Sequence, residues 1–267
     1  MLYNINSLIG SDIHAKDGEL GKVAEFYFDD QTWDIRYLVV ATGNWLSQRK
    51  VLISPAALKK PDWGSRSFPV ALTREQVRNS PDIDTEKTVS RLHEIELHKH
   101  YSWPLYWGDG FLAGGMSDGP MFPPARKDGE EEQPGARAGE APEETHLQST
   151  RAVKGYRLHA ADGPIGRVAD YIISDAQWRI RYLVADTGLW LPGRKVLLSP
   201  HWIERVDWDM SEVYIDLTRE AIRKSPEFDQ AQPVSADYES SLYDHYGRPR
   251  FEDEVNRPEL SGRGRKR

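Results

Sequence analysis

The stretch WDIRYLVVATGNWLSQRKVLISP, residues 33–55, returns at residues 178–200 as WRIRYLVADTGLWLPGRKVLLSP. Sixteen of the 23 positions are identical, with no insertion or deletion, at a constant offset of 145. Trp33, Ile35, Tyr37 and Val39 recur at every second residue, and so do Trp178, Ile180, Tyr182 and Val184. Period two in aromatic and β-branched residues predicts a strand with that face on the core. The opposite face starts polar at Asp34 and Arg36 and turns apolar at Leu38 and Val40, so the strand is expected to run under another layer.

The match extends outward on both sides. DGELGKVAEFYFDD (17–30) aligns with DGPIGRVADYIISD (162–175), and Leu72-Thr73-Arg74-Glu75 aligns with Leu217-Thr218-Arg219-Glu220. LHKHYSWP (97–104) keeps the same offset against LYDHYGRP (242–249). Two copies are too few for a solenoid, which needs at least about three stacked repeats. Each copy is therefore expected to be a small domain, or the two to pack as a pseudo-symmetric pair.

Within a copy, Asp17-Gly18 and Asp162-Gly163 predict tight turns ahead of an apolar strand. Lys50 to Ile53 reads as a further strand. Ser54-Pro55 and Ser199-Pro200 combine an N-cap with proline at the first helical position, predicting a helical turn over 56–59. Phe68 to Leu72 and Val213 to Leu217 read as short strands, and Thr73 and Thr218 as caps of short helices. Four to six short strands in about 85 residues make a sheet that must curl on itself or pair with its sister to hide its edges. The expected fold is mainly β: two small, strongly curved β-barrels with short helical turns, joined by a flexible Gly/Pro-rich linker.

The expected organisation is copy 1 over 1–90, an aromatic extension over 91–107, a linker over 108–148, copy 2 over 149–235, and an extension with a basic tail over 236–267. Residues 108–146 hold eight Gly and five Pro with little apolar periodicity, a composition that does not offset its ordering entropy. The alternative for that segment is docking through Phe111, Met116, Met121 and Phe122. The tail ends in RGRKR (263–267).

The net charge of −7 disfavours broad binding to nucleic acid or anionic lipid. No window approaches the apolar length of a membrane helix, and no secretory signal is evident. Cysteine is absent, which excludes disulfides, thiolate metal sites and cysteine nucleophiles. A cytoplasmic protein, or one peripheral to the inner membrane, is the expectation.

No catalytic residue, cofactor site or metal site is expected. LHEIELHKH (92–100) lacks the spacing of a zinc-binding HExxH motif. His98-x-His100 on a strand face would suit a metal, yet Tyr243 replaces His98 in the second copy, so solvent-facing polar residues are the expectation. His14 and His159 read as loop histidines bonded to nearby backbone. Asp17, Asp29, Asp30 and Asp62 read as turn residues, not as a carboxylate pair held in one cleft. Trp45 and Trp190, and Trp63 and Trp208, fall at equivalent positions; core or barrel-to-barrel packing is expected there ahead of a partner site.

The candidate partner-binding residues are Trp103, Tyr106 and Trp107 with Arg49, Lys50, Arg194 and Lys195. HYSWPLYWG (100–108) either exposes an aromatic patch of the kind found at interface hot spots or covers an open end of the first copy. The Arg-Lys pairs contact an acidic partner or serve as edge charges that discourage aggregation.

The order of features resembles the PRC-barrel domain family, found in the photosynthetic reaction-centre H subunit and in the C-terminal part of the ribosome maturation factor RimM. The residues that carry the resemblance are Asp17-Gly18, Gly21-Lys22-Val23, Trp33 to Val40 and Arg49 to Pro55. Their counterparts are Asp162-Gly163, Gly166-Arg167-Val168, Trp178 to Ala185 and Arg194 to Pro200. It covers nearly all of 5–85 and 150–230. This chain shows neither a transmembrane helix ahead of the barrel nor the different first barrel of RimM. The resemblance implies a non-catalytic protein-interaction module, an adaptor or scaffold, with no catalytic residues to carry over. The partners are proteins of unknown identity, with the two barrels as candidates for each other. A reaction-centre-like membrane-associated role and an RNA- or ribosome-associated role are the alternatives.

Overall fold

The computed structural model describes residues 1–62, 64–81, 89–106, 146–188 and 194–250. The first copy runs β1 (Leu2–Asn4), α1 (Ile5–Leu8), β2 (Asp12–Ala15), β3 (Gly18–Asp29), β4 (Ile35–Ala41), β5 (Lys50–Ile53), β6 (Ser67–Pro69) and α2 (Arg74–Arg78), followed by α3 (Arg91–Tyr101). The second runs β7 (Leu147–Ser149), α4 (Thr150–Val153), β8 (Arg157–Ala160), β9 (Gly163–Ser174), β10 (Arg179–Asp186), β11 (Lys195–Leu198), β12 (Ile203–Asp207), β13 (Glu212–Ile215), α5 (Arg219–Lys224) and α6 (Ala236–Tyr246). Residues 1–74 join the second copy, from residue 146, in one compact unit; residues 75–145 form another. The fold is mainly β. Among the described residues no helix is long and apolar enough to cross a membrane.

The strands form two sheets, ordered β5-β4-β3-β2-β6 and β11-β10-β9-β8-β13-β12. No pairing among the described residues closes either sheet, so the expected barrel closure is not seen in the ladders. The copies instead exchange short strands along their long inner strands, β9 and β3. Strand β1 of the first copy pairs antiparallel with β9 of the second, Leu2 opposite Ser174 and Asn4 opposite Ile172. Strand β7 of the second copy pairs in the same way with β3 of the first, Leu147 opposite Asp29 and Ser149 opposite Tyr27. Each copy thus lends its leading strand to its sister, at registers related by the same 145-residue offset.

The long strands behave as their apolar patterns predict. Leu38, Val39 and Val40 are wholly buried, as are Leu183, Val184 and Ala185, so both faces of β4 and β10 are covered. Register shifts fall at matching places in the two copies, beside Arg36 and Arg181 and beside Ala24 and Ala169. A β-bulge of this kind bends its strand and redirects a side chain. Arg36 is turned onto Asp34 at 3.3 Å and Asp29 at 3.6 Å, whereas Arg181 reaches Glu239 of α6 at 3.2 Å.

Gly21 and Gly166 admit no other residue at the Gly-Lys-Val and Gly-Arg-Val steps of the long strands. The φ of Gly21 is +146°, and a Cβ there would stand 2.0 Å from the Ala41 carbonyl oxygen; Gly166 repeats this against Asp186 at 1.9 Å. The Asp of each Asp-Gly turn has a second task. Asp17 Oδ1 accepts from Arg74 N at 2.8 Å and Asp162 Oδ1 from Arg219 N at 2.7 Å, so each turn also caps the following short helix.

Several expectations shift. Trp33 and Trp178 precede their strands, which begin at Ile35 and Arg179. The expected turn over 56–59 is a 3-10 turn over Pro55–Ala57, capped by Ser54. The strand expected over 68–72 ends at Pro69. His14 and His159 lie on strands, and His159 stacks on Tyr214 at 5.0 Å. The expected linker boundary at 148 overlaps β7, which starts at Leu147. Residues 108–145 and the RGRKR tail lie outside the described residues, as do Trp63 and Trp190.

In the unit holding residues 75–145, α3 corrects the reading of the histidines. LHEIELHKH is helical, so His98 and His100 do not share a strand face. His98 is buried, with Nδ1 2.8 Å from the Pro104 carbonyl, and His100 Nε2 lies 2.8 Å from the Gln76 carbonyl. In the second copy His245 bonds Ala221 in the same way, at 2.8 Å.

Candidate interaction site

The site grows from the turn between β3 and β4. Asp29 Oδ1 accepts from the backbone of Gln31 at 3.0 Å and of Thr32 at 2.9 Å. Trp33 N donates to the Asp29 carbonyl at 2.8 Å, and Asp29 N to the Asp34 carbonyl at 2.9 Å. This closes the turn only if Trp33 is left-handed, and its φ is +62°; Trp178 is left-handed too, at +49°. A bulky residue there is a backbone outlier with a cost.

That conformation turns the tryptophan carbonyl toward the sister copy. Trp33 O accepts from Ile180 N at 2.8 Å, and Trp178 O accepts from Ile35 N at 2.6 Å. Between these reciprocal bonds Asp34 bridges Arg179. Residue 179 is residue 34 plus the repeat offset, so the two sit on a local two-fold axis, each facing its own counterpart. The side chains complete the contact, with Arg179 Nε donating to the Asp34 carboxylate. Rings seal the junction: Phe28 stacks on Trp33 at 5.1 Å and leans on Tyr171 at 6.2 Å, while Trp178 meets Phe68 edge-on at 6.3 Å.

Beside this axis lies a cleft of about 870 Å³, lined from the first copy by residues 30–33 and from the second by His146, Arg179, Ile180, Pro200, His201, residues 203–206 and Trp208. Asp30 is held in its wall by His146 at 3.2 Å, and burial raises its carboxyl above the usual range. His201 is shifted below the usual histidine range, first by desolvation and then by the charges of Arg179 and Arg181. Trp208 meets Tyr156 edge-on at 6.2 Å.

These observations fit the family comparison. A family model described as PRC-barrel domain matches residues 1–66. Residues 1–66 are thus similar to a PRC-barrel domain. The PRC-barrel match takes in β1 through the approach to β6, including the turn that carries Trp33 and Asp34. No curated protein matches the chain.

The residues expected to bind partners lie elsewhere. Trp103 is half-buried, stacked on Tyr101 at 4.3 Å, and Tyr106 donates its hydroxyl to Glu94 of α3. Trp107 lies outside the described residues. The Arg49 carbonyl accepts from Thr42 N and Oγ1, at 3.1 and 2.6 Å, while Lys50 pairs with Ala41 in the β4–β5 ladder. Arg194 spans the end of α5, donating to the carbonyls of Arg223, at 2.8 Å, and Ser225. Lys195 donates to Gln230. Trp45 bonds the Leu20 carbonyl at 2.7 Å under the Arg74 guanidinium, so it packs within its own copy.

The axis pair was missed, yet the sequence held a signal. In the near-identical stretch, the change from Asp34 to Arg179 reverses charge, as expected where a position must face its own copy.

Proposed function

We propose that this chain is a non-catalytic protein-interaction module, an adaptor built from two PRC-type barrels fused into one body. The second sheet, the sister of the matched domain by its 145-residue offset, is read as the other barrel, a reading supported by register shifts at matching places in both copies. One observation carries the reading: two charged pairs at the junction cleft are engaged in holding the copies together. Asp30 is committed to His146 and Arg179 to Asp34. Such a cleft offers a fixed shape shared by two copies, which suits recognition of another protein.

The test is affinity capture of the full chain from its native lysate, with identification of what returns in stoichiometric amount. A protein partner supports the reading, and its identity separates a reaction-centre-like role from a ribosome-associated one. Recovery of the chain alone under every growth condition overturns it.

A further inference from the structure

The strand pairings and ring contacts that join the copies run between residues 1–74 and residues 146–180. The chain that connects the copies, residues 75–145, forms a compact unit of its own. The junction is therefore the same whether its two halves belong to one chain or to two.

Neither copy is complete without a sister. Strand β1 pairs with β9 and with no other strand among the described residues, and β7 likewise with β3. The short helices α1 and α4 pack on the same long strands. Ile5 and Leu8 of the first element are buried, as are Leu147 and Val153 of the second. Thr150 and Phe26 exchange hydrogen bonds across the contact, at 3.1 and 3.3 Å. A copy parted from its sister leaves a strand unpaired and returns apolar groups to water, which drives it to rejoin one.

The axis decides which sister is acceptable. Asp34 meets Arg179 there. A second copy against a second copy would set Arg179 against its own equal. A first against a first would do the same with Asp34, relieved in part by Arg36 at 3.3 Å. Two chains therefore join by first copy to second, twice, and such a pair closes with both junctions used.

We propose that the junction is also a self-association surface, through which two chains trade copies: the first copy of each seats on the second copy of the other. The partner is a second copy of this chain. Exchange of this kind is a low-cost route to a dimer, because no new interface has to be built. The connecting segment sets the balance. It holds the two copies at an effective concentration of about 1 mM or below. The single chain prevails when dilute, and the exchanged pair gains as concentration approaches that value. This holds whether or not a foreign protein binds the cleft.

Charge reversal at the axis provides the test, in the full chain. Asp34→Arg closed on itself opposes two guanidiniums, and Arg179→Asp closed on itself opposes two carboxylates. Traded between these two variants, the copies meet as carboxylate and guanidinium at both junctions. A bias of about tenfold at each junction lowers the association threshold about a hundredfold, to roughly 10 µM. The two variants unfolded together and refolded as an equimolar mixture at about 100 µM, well above that threshold, should give twice the mass of one chain. Native mass spectrometry should find one of each variant in that species, and its urea midpoint should exceed that of either variant alone. The doubly reversed chain, Asp34→Arg with Arg179→Asp, should stay single at the same concentration. The unaltered chain gives an independent reading: refolded near 1 mM it should contain the doubled mass, which refolding at high dilution abolishes. A mixture that yields only single chains, pairs of like variants as abundant as mixed ones, or an unaltered chain that stays single at every concentration overturns the inference.

Discussion

Asp34 and Arg179 occupy one position of the repeat, 145 residues apart, and meet each other across a local two-fold axis. Pairing a copy with its own kind would bring two carboxylates or two guanidiniums together there; only the mixed pair is attractive. Both side chains are less than a quarter exposed or close to it, at 17% and 24%. Removing one partner should cost about 1–3 kcal/mol, between the values typical of exposed and buried pairs. Asp34→Asn and Arg179→Gln should each lower the urea midpoint, and the double variant should lose less than the sum. Strict additivity would show that the pair is not coupled.

Trp178 should respond unusually to truncation. Its left-handed backbone disfavours any residue with a Cβ. Trp178→Gly should therefore be more stable than Trp178→Ala by roughly 0.5–1 kcal/mol, despite the greater chain entropy of glycine. Chemical denaturation of the two variants decides the order.

Gly21 and Gly166 admit no side chain. Alanine at either position meets a carbonyl oxygen at about half the contact distance, with backbone on both sides. Each substitution should exceed about 4 kcal/mol, the range reserved for severe steric or burial defects. Soluble yield and far-ultraviolet dichroism would reveal loss of the fold.

Arg194 tests whether the Arg-Lys motif binds partners or holds the fold. It donates to carbonyls at the end of α5. Arg194→Ala should cost about 1–2 kcal/mol through loss of that cap. Partner capture by the folded variant should be unchanged; loss of capture at full stability would make it a contact residue instead.

Asp170 should make stability fall as pH rises above the acid range. Its carboxyl is 1% exposed, and burial raises its pKa, opposed by a hydrogen bond from Tyr171 N at 2.8 Å. The folded protein then holds this proton more tightly than the unfolded chain. The contribution is most favourable below the ordinary aspartate pKa and is lost as pH rises through the raised folded value. Asp170→Asn should remove that component. Urea midpoints from pH 3.5 to 7 should decline less in the variant than in the parent.

Much of the fold was legible because duplication repeats the signal. Alternation in residues 35–41, the Asp-Gly turns and the Ser-Pro caps led to the right elements within a few residues. Trp33 was misplaced because it continues the period-two pattern while adopting a left-handed turn, and periodicity carries no information on φ. His98 and His100 read as solvent-facing polar residues, yet α3 buries His98, because polar residue type alone does not reveal which face of a helix is covered. The cleft was illegible because its walls come from separate copies, which meet through the Trp33–Ile180 and Asp34–Arg179 contacts.

Strand exchange also has a bearing on how the chain is made. Thr150, at the head of α4, exchanges hydrogen bonds with Phe26 of β3 across 124 residues of chain. Contacts of such separation are entropically slow to form. While the ribosome is still extending the chain toward Leu147, the outer edge of β3 has no strand to cover it. An uncovered edge invites association with other nascent chains. The species most exposed to aggregation is thus the unfinished polypeptide, and the period of risk closes when the second copy emerges.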